Sequence, residues 1–391
     1  MMLTRRAFTM TSIGAAGLGG LARGAFAAAP KTPATINVID VAGNLALTRP
    51  AFDAYKAAKP NFVSTMTFTQ SPAPELPAKI KAQQNAGRLE IDLVLTGTDA
   101  LAAGIEQGLW TILLPAHAKE LPALDSIYLP AAAKMQTLAN GEGVVVTYYP
   151  SGPLLEYMPD SVQTPPKTAA DLLAWAKANN GRFMYARPAN SGPGRTLLMG
   201  LPYILGDKDP MNPKDGWDRT WAYLKELDQT IEYYPSGTGA TMKEFGEGSR
   251  DIIATTTGWD INPRVLGIVP KEAKVFALDG MHWVADAHYM CVPKGVSDEK
   301  LGVLLDLMSF MLEPKSQAFA YDKGYFYPGP AIKDAPLSMA PQESRDALKD
   351  FGRPEYDAMI AAHPIELPLP ADAMVLAFKL WDERIGGSKR R

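Results

Sequence analysis

Thr35-Ile36-Asn37-Val38-Ile39-Asp40-Val41-Ala42-Gly43-Asn44 reads as a strand with a glycine exit into a helix running to about residue 58. The pattern then repeats. Residues 63–69 read as a second strand and 75–86 as a helix, with Pro77 tolerated in its first turn. Leu76 and Ile80 share a stripe that Gln83 and Gln84 continue as polar residues, so the apolar face of that helix is short. Glu90-Ile91-Asp92-Leu93-Val94-Leu95-Thr96 is a third strand ending in Gly97, and Asp99 is expected to cap a helix over 100–107. Strands alternating with helices imply an α/β fold with a parallel sheet and right-handed crossovers. Ligands of such sheets sit beyond the carboxyl ends of the strands, which makes Gly43, Asn44, Thr96 and Gly97 candidate ligand contacts. Ordinary turn glycines and helix caps are the competing reading of those four.

Outward toward the amino terminus, Thr4-Arg5-Arg6-Ala7-Phe8-Thr9-Met10 precedes a weakly apolar, glycine-rich stretch and Ala25-Phe26-Ala27. This is a charged region, an apolar region and a small-residue cleavage site in the order of an export signal over residues 1–27. The adjacent arginines point to the twin-arginine route, and hence to a bacterial periplasm. That segment carries Arg5, Arg6 and Arg23 and no acid, so the net charge of −3 becomes −6 without it. The remaining length of about 360 residues suits two domains. No basic patch is present to neutralise phosphates, which excludes nucleic acid as the expected partner. No later apolar run reaches the ~18 residues needed to span a bilayer. Cys291 is the only cysteine; it lies in an apolar strand and reads as a core residue rather than a reactive thiol.

Toward the carboxyl terminus, residues 110–129 are irregular, a short helix lies near 131–138, and 144–149 is a strand. A helix over 169–178 ends at Asn180-Gly181. A second alternating unit follows. Strand 182–188 leads into Ser191-Gly192-Pro193-Gly194-Arg195-Thr196 and a helix over 196–205. After a helix over 217–227, strand 231–234 leads into Ser236-Gly237-Thr238-Gly239-Ala240-Thr241 and a helix over 240–246. Strand 252–257 ends in Gly258-Trp259-Asp260. Strands over 273–278 and 287–293, a long helix from 301 to about 321 interrupted at Pro314, an aromatic loop over 323–330 and a helical tail complete the chain.

Each glycine-rich turn opens a helix and so exposes backbone N–H groups at its positive end, where carboxylate, phosphate or hydroxyl oxygens bind. Ser191, Gly192, Arg195, Thr196, Ser236, Gly237 and Thr238 are candidate contacts there, Arg195 through its forked guanidinium. Plain helix caps and a solvent-facing arginine are the alternative. Neither turn carries the Lys-Ser/Thr of a P-loop, which disfavours nucleotide hydrolysis. Trp259 and Asp260, with Trp283 and Asp286, pair indole faces with carboxylates, a combination that binds organic cations; core packing is the bland reading of each tryptophan. Tyr325 could touch ligand from the aromatic loop. His282, Asp286 and His288 share strand parity, but Asp279-Gly280 is a turn and no fourth ligand follows, so no metal site, cofactor or catalytic residue is assigned. No G-x-S-x-G elbow or H-E-x-x-H is present.

The chain resembles the extracellular solute-binding proteins of bacterial ABC importers, in the branch of polyamine, thiamine and ferric-ion receptors. The resemblance rests on the stretch from Ile36 to Asn44, on Ile91 to Gly97 with Trp110 after Gly108-Leu109, and on Gly181-Arg182-Phe183-Met184-Tyr185 with the first glycine-rich turn. It rests also on Phe276-Ala277-Leu278-Asp279-Gly280 before Ala287-His288-Tyr289-Met290-Cys291-Val292-Pro293, and on Tyr325-Phe326-Tyr327-Pro328-Gly329-Pro330-Ala331-Ile332-Lys333. It implies a periplasmic-binding-protein-like fold of two lobes joined by hinge crossovers, with a ligand cleft between them. Lobe one would take 35–142 and about 283–312, and lobe two 150–271 and about 313–391. The crossovers would lie at 143–149 and 272–282. It implies a monomer that closes on a small solute and docks on an ABC permease, with no enzymatic activity. Tyr233 and Tyr234 are adjacent on a strand and face opposite ways, so a paired-tyrosine iron site is not expected. The preferred solute is an organic cation or zwitterion, such as a polyamine or thiamine-like compound. An anionic or phosphorylated solute, and an exported two-domain enzyme, are the alternatives.

Overall fold

A computed structural model describes residues 29–389 of the chain; the export signal read over 1–27 lies outside the described residues. The strands are, in chain order, β1 (Ala34–Asp40), β2 (Val63–Gln70), β3 (Leu93–Thr96), β4 (Val144–Gly152), β5 (Leu154–Tyr157), β6 (Phe183–Met184), β7 (Ile252–Thr255), β8 (Lys274–Phe276), β9 (Trp283–Cys291), β10 (Gly329–Pro330) and β11 (Ile365–Glu366). They form two sheets. The first has the order β10-β4-β9-β3-β1-β2, with β11 beside β9; the second has the order β6-β7-β5-β8. The two sheets, each with its own helices, make a two-lobed α/β protein.

Burial explains the composition of the strands. All nine residues of β4 and all nine of β9 are buried, as expected for central strands covered on both faces. The edge strand β2 keeps only Val63 buried, with Met66 and Phe68 half-buried, and turns its threonines outward. β1 pairs in parallel with both β2 and β3, so the alternation read from the sequence does form a parallel unit. β9 then enters antiparallel between β3 and β4.

Two segments pass between the sheets. β4 runs in the first sheet to Gly152, and beyond Pro153 the same extended chain continues as β5 in the second. The second passage leaves β8 and re-enters the first sheet as β9. Past residue 312, where the sequence hands the chain to the second lobe, the structure keeps it on the first for longer. Gln317 donates to the carbonyl of Val146 (2.9 Å) and accepts from the N–H of Ala331 (2.8 Å), and β10 pairs with β4. Ala331, Ile332 and Ala335 join the first core. The C-terminal helix Ala371–Trp381 buries Met374, Ala377, Leu380 and Trp381 in the second core, and its other side packs on helix Thr98–Glu106 of the first lobe.

Three local expectations are corrected. Residues 231–234 form no strand: single backbone bonds flank them, from Gly181 N–H to the carbonyl of Thr230 and from Arg187 N–H to that of Pro235, without a ladder. The strand read over 182–188 shortens to β6, because the chain turns away at Pro188. Gly97, not Asp99, holds the capping position; Asp99 lies inside the first turn, where one carboxylate oxygen accepts the N–H of Ala100 (2.8 Å) and the other pairs with Arg195 of the other lobe.

Candidate functional site

The carboxyl ends of β1, β3 and β4, together with the turns that follow β6 and β7, converge on one cavity of about 470 Å³ between the lobes. Its position follows from topology. β1 ends in Asp40, whose buried carboxylate accepts the N–H groups of Ala42 (3.0 Å), Asn44 (3.0 Å) and Leu45 (2.9 Å) and so folds the turn. Burial nonetheless raises the Asp40 pKa, with those N–H groups acting in the opposite direction. The turn passes through Gly43 at φ +75°, where a Cβ would stand 2.5 Å from the Tyr325 hydroxyl. Only glycine lets that ring lie on the turn. Gly258, at φ +101°, does the same for the backbone of Tyr325, whose carbonyl oxygen would be 2.5 Å from an added Cβ.

Tyr325 belongs to an aromatic wall. Its ring contacts Trp259 at 5.1 Å and Phe326 at 4.6 Å. Phe326 in turn stacks on Tyr149 at 4.3 Å and meets His288 edge-on at 4.6 Å. Another part of the wall is polar. Ser191 caps helix Gly192–Leu205 by accepting the N–H of Gly194 (3.3 Å), and its hydroxyl shares a hydrogen bond with that of Thr238 (2.7 Å). The two glycine-rich turns are therefore joined. Helix Thr238–Gly246 begins at Gly237 with no side-chain cap, and Ser236, Thr238 and Gly239 line the cavity beside its positive end.

Arg195, Asp99 and Asp286 set the charge. The Arg195 side chain is only 7% exposed; it reaches across the cleft to pair with Asp99 (3.2 Å) and with Asp286 in a close contact. Asp286 also accepts the hydroxyls of Tyr149 (3.0 Å) and Thr98 (3.0 Å) and the N–H of Ala287 (2.9 Å). Burial works against the charge of both partners. It is outweighed at Arg195 by the two carboxylates, which raise its pKa, and at Asp286 chiefly by the guanidinium, which lowers its pKa. Among the described residues, Asp99 and Arg195 are the ionised side chains on the cavity wall, because His288 is neutral: burial lowers its pKa to about 4. Asn44 fixes the tautomer. Its amide accepts the Thr48 hydroxyl at Oδ1 (2.7 Å) and donates through Nδ2 to His288 Nδ1 (2.8 Å), so the imidazole proton sits on Nε2.

The sequence matches the family described as bacterial extracellular solute-binding protein over residues 51–348. The chain belongs to that family. Solved structures similar to this solute-binding protein include the spermidine/putrescine ABC transporter substrate-binding protein PotD from Streptococcus pneumoniae, with 15% identity and a TM-score of 0.59 over 89% of this chain and 99% of that one. They include a periplasmic thiamin binding protein, with 14% identity and a TM-score of 0.63 over 90% and 97%. They also include the periplasmic binding protein AfuA from Actinobacillus pleuropneumoniae with exogenous fructose-6-phosphate bound, with 16% identity and a TM-score of 0.61 over 91% and 99%. No curated protein matches the sequence.

In this solute-binding protein the structure sorts the residues singled out by sequence into three groups. Gly43, Gly97, Ser191, Gly192, Arg195, Ser236, Thr238, Trp259 and Tyr325 line the cavity. Asn44, Thr96, Thr196, Gly237 and Asp286 stand behind it. Asn44 is spent on His288 and Thr48, Thr96 on the carbonyl of Gly97, Thr196 on the carbonyls of Gly192 and Pro193, and Asp286 on Arg195. Asp260 and Trp283 lie elsewhere. Asp260 is fully buried and paired with Arg353 (2.7 Å) and Arg264 (3.6 Å), while Trp283 packs with Leu154, Ile261 and Tyr356 in a separate core. The proposed Trp259–Asp260 pair thus splits: Trp259 lines the cavity, while Asp260 is held by the two buried arginines. The sequence reading missed Asp99, Tyr149, His288 and Phe326 as cavity residues. Tyr149 was findable, since it ends a predicted strand. Asp99 was visible but given a local role.

Proposed function

We propose that the chain is the receptor of an ABC importer, working in the periplasm as a monomer after twin-arginine export, and that it captures an organic cation or a zwitterion and delivers it to a membrane permease. The observation that carries the reading is the charge balance of the cavity. Its one arginine is held between two carboxylates, so a bound anion would have to compete with Asp99 and Asp286 for the same guanidinium. What is left over is one negative charge facing an aromatic wall. An ammonium group suits that place, with Asp99 as ion-pair partner and the faces of Trp259 and Tyr325 as cation–π partners. The similar polyamine and thiamin proteins give the reading its context.

A zwitterion is favoured by a second observation. The uncapped start of helix Thr238–Gly246 offers backbone N–H groups to a carboxylate on the polar part of the cavity wall. An anionic or phosphorylated solute would use that helix start alone. Calorimetric titration with putrescine, thiamine, 4-aminobutanoate and a hexose phosphate separates these cases. The amines are expected to bind, and Asp99→Asn to weaken them about tenfold, equivalent to about 1.4 kcal/mol. Tight binding of the hexose phosphate that Asp99→Asn leaves intact would refute the cation reading, and turnover of a bound solute would refute the receptor.

A further inference from the structure

We infer that the solute carries an apolar arm, which leaves the polar cavity past Asp99 and lies in a second groove. This deepens the reading of the interlobe cavity as the solute site and rests on it. The groove has a volume of about 410 Å³ and shares Ala73, Pro74 and Asp99 with the main cavity, so the two adjoin along those residues. Its walls come from three helices. Pro77 and Ala78 belong to helix Leu76–Asn85, Ala100 and Ala103 to helix Thr98–Glu106, and Val375 and Phe378 to the C-terminal helix Ala371–Trp381.

Two features make this groove a binding surface and not a packing defect. Apart from Asp99, Lys81 and Gln107 its first-lobe lining is alanine and proline, which leave room where larger side chains would close it. Ala78 is exposed, and Ala103, Val375 and Phe378 remain half-exposed even though the C-terminal helix packs tightly against helix Thr98–Glu106. The walls also belong to both lobes, since Val375 and Phe378 lie on the helix anchored in the second core. An arm in the groove touches both lobes at once. It therefore adds affinity for the closed form specifically, which a polar head group alone does not. Covering apolar surface of this kind strengthens binding roughly fourfold for each methylene removed from water.

The test is the affinity of the mature chain for two series, 1-aminoalkanes and alkanoates, each from two to eight carbons. The slope of affinity against chain length reports the groove, whichever head group binds; the head group that binds reports the charge reading, so the two can fail separately. The proposal expects affinity to rise several-fold per added carbon in one series. It expects Ala78→Trp, at an exposed position that tolerates bulk, and Ala103→Trp to flatten that rise, with circular dichroism confirming the fold. A flat series in both cases, no binding in either, or a slope that survives both tryptophan variants would overturn it.

Discussion

Lowering the pH from 7 to 5 is expected to cost the folded protein about 2 kcal/mol through His288 alone. The imidazole is 2% exposed, and burial lowers its pKa to about 4, against 6.5 in the unfolded chain. Asp286 pulls the pKa up and Arg195 pushes it down, but desolvation dominates. The Asn44 amide adds a geometric reason, because its N–H already points at Nδ1, and a protonated ring would set two donors against each other. The sign follows from proton counting. Between pH 6.5 and pH 4 the unfolded chain holds a proton at His288 and the folded chain does not, so stability falls as the pH falls through that window. Each unit inside the window is worth about 1 kcal/mol, for a total of about 3 kcal/mol when it is fully crossed. Urea denaturation at pH 7, 6 and 5 measures this, with His288→Gln as reference. Glutamine can still accept from Asn44 but does not titrate. The wild type should lose about 2 kcal/mol more than the variant between pH 7 and pH 5. Equal losses, or an imidazole resonance titrating near 6.5, would refute the argument.

Other perturbations test the remaining joints of the site. Arg195→Met leaves Asp286 buried with only Thr98, Tyr149 and the Ala287 N–H for partners. It should lower unfolding free energy by about 3 to 5 kcal/mol, and adding Asp286→Asn should restore most of that loss in a double-mutant cycle. Gly43→Ala must hold an L side chain at φ +75° and displaces the Tyr325 hydroxyl, so a loss of about 1–2 kcal/mol in denaturant titration and weaker solute binding are expected. Glu156 is fully buried on β5, and neither of its carboxylate oxygens has a hydrogen-bond partner. Burial, reinforced by nearby Asp260, raises its pKa well above the usual range. The folded chain therefore keeps a proton that the unfolded chain gives up as the pH rises past the ordinary glutamate value. Glu156→Gln should stabilise the protein at pH 7 and leave it unchanged at pH 4, as read by melting temperature.

The fold was legible because it is written in local periodicity. Ile36, Val38 and Ile39 report β1, and the glycine exits at Gly43 and Gly97 report where parallel strands stop. Helix starts were legible in part: Thr168 caps the helix read from 169 through a side chain three residues from the N–H it accepts, whereas the helix read from 196 begins at Gly192 with Ser191 as its cap. The charge of the site was not legible. Arg195 reads as an anion hook when only its own turn is considered. It is instead held by Asp99 and Asp286, which stand 96 and 91 residues away along the chain. Asp260 shows the same limit, since its partner Arg353 lies 93 residues further on.

The sequence by itself determined the alternating α/β elements and the glycine turns, because each follows from residues within a few positions of one another; the two lobes and the cleft between them were expected from the family resemblance. Tertiary structure alone decided which carboxylates neutralise Arg195, that Trp259 lines the cavity while Asp260 pairs with Arg353, and that Ala78, Ala103 and Phe378 line one groove. Those outcomes depend on pairings between distant segments brought together by the crossovers. Electrostatic and packing energies act on distance in space, and separation along the chain carries no record of it.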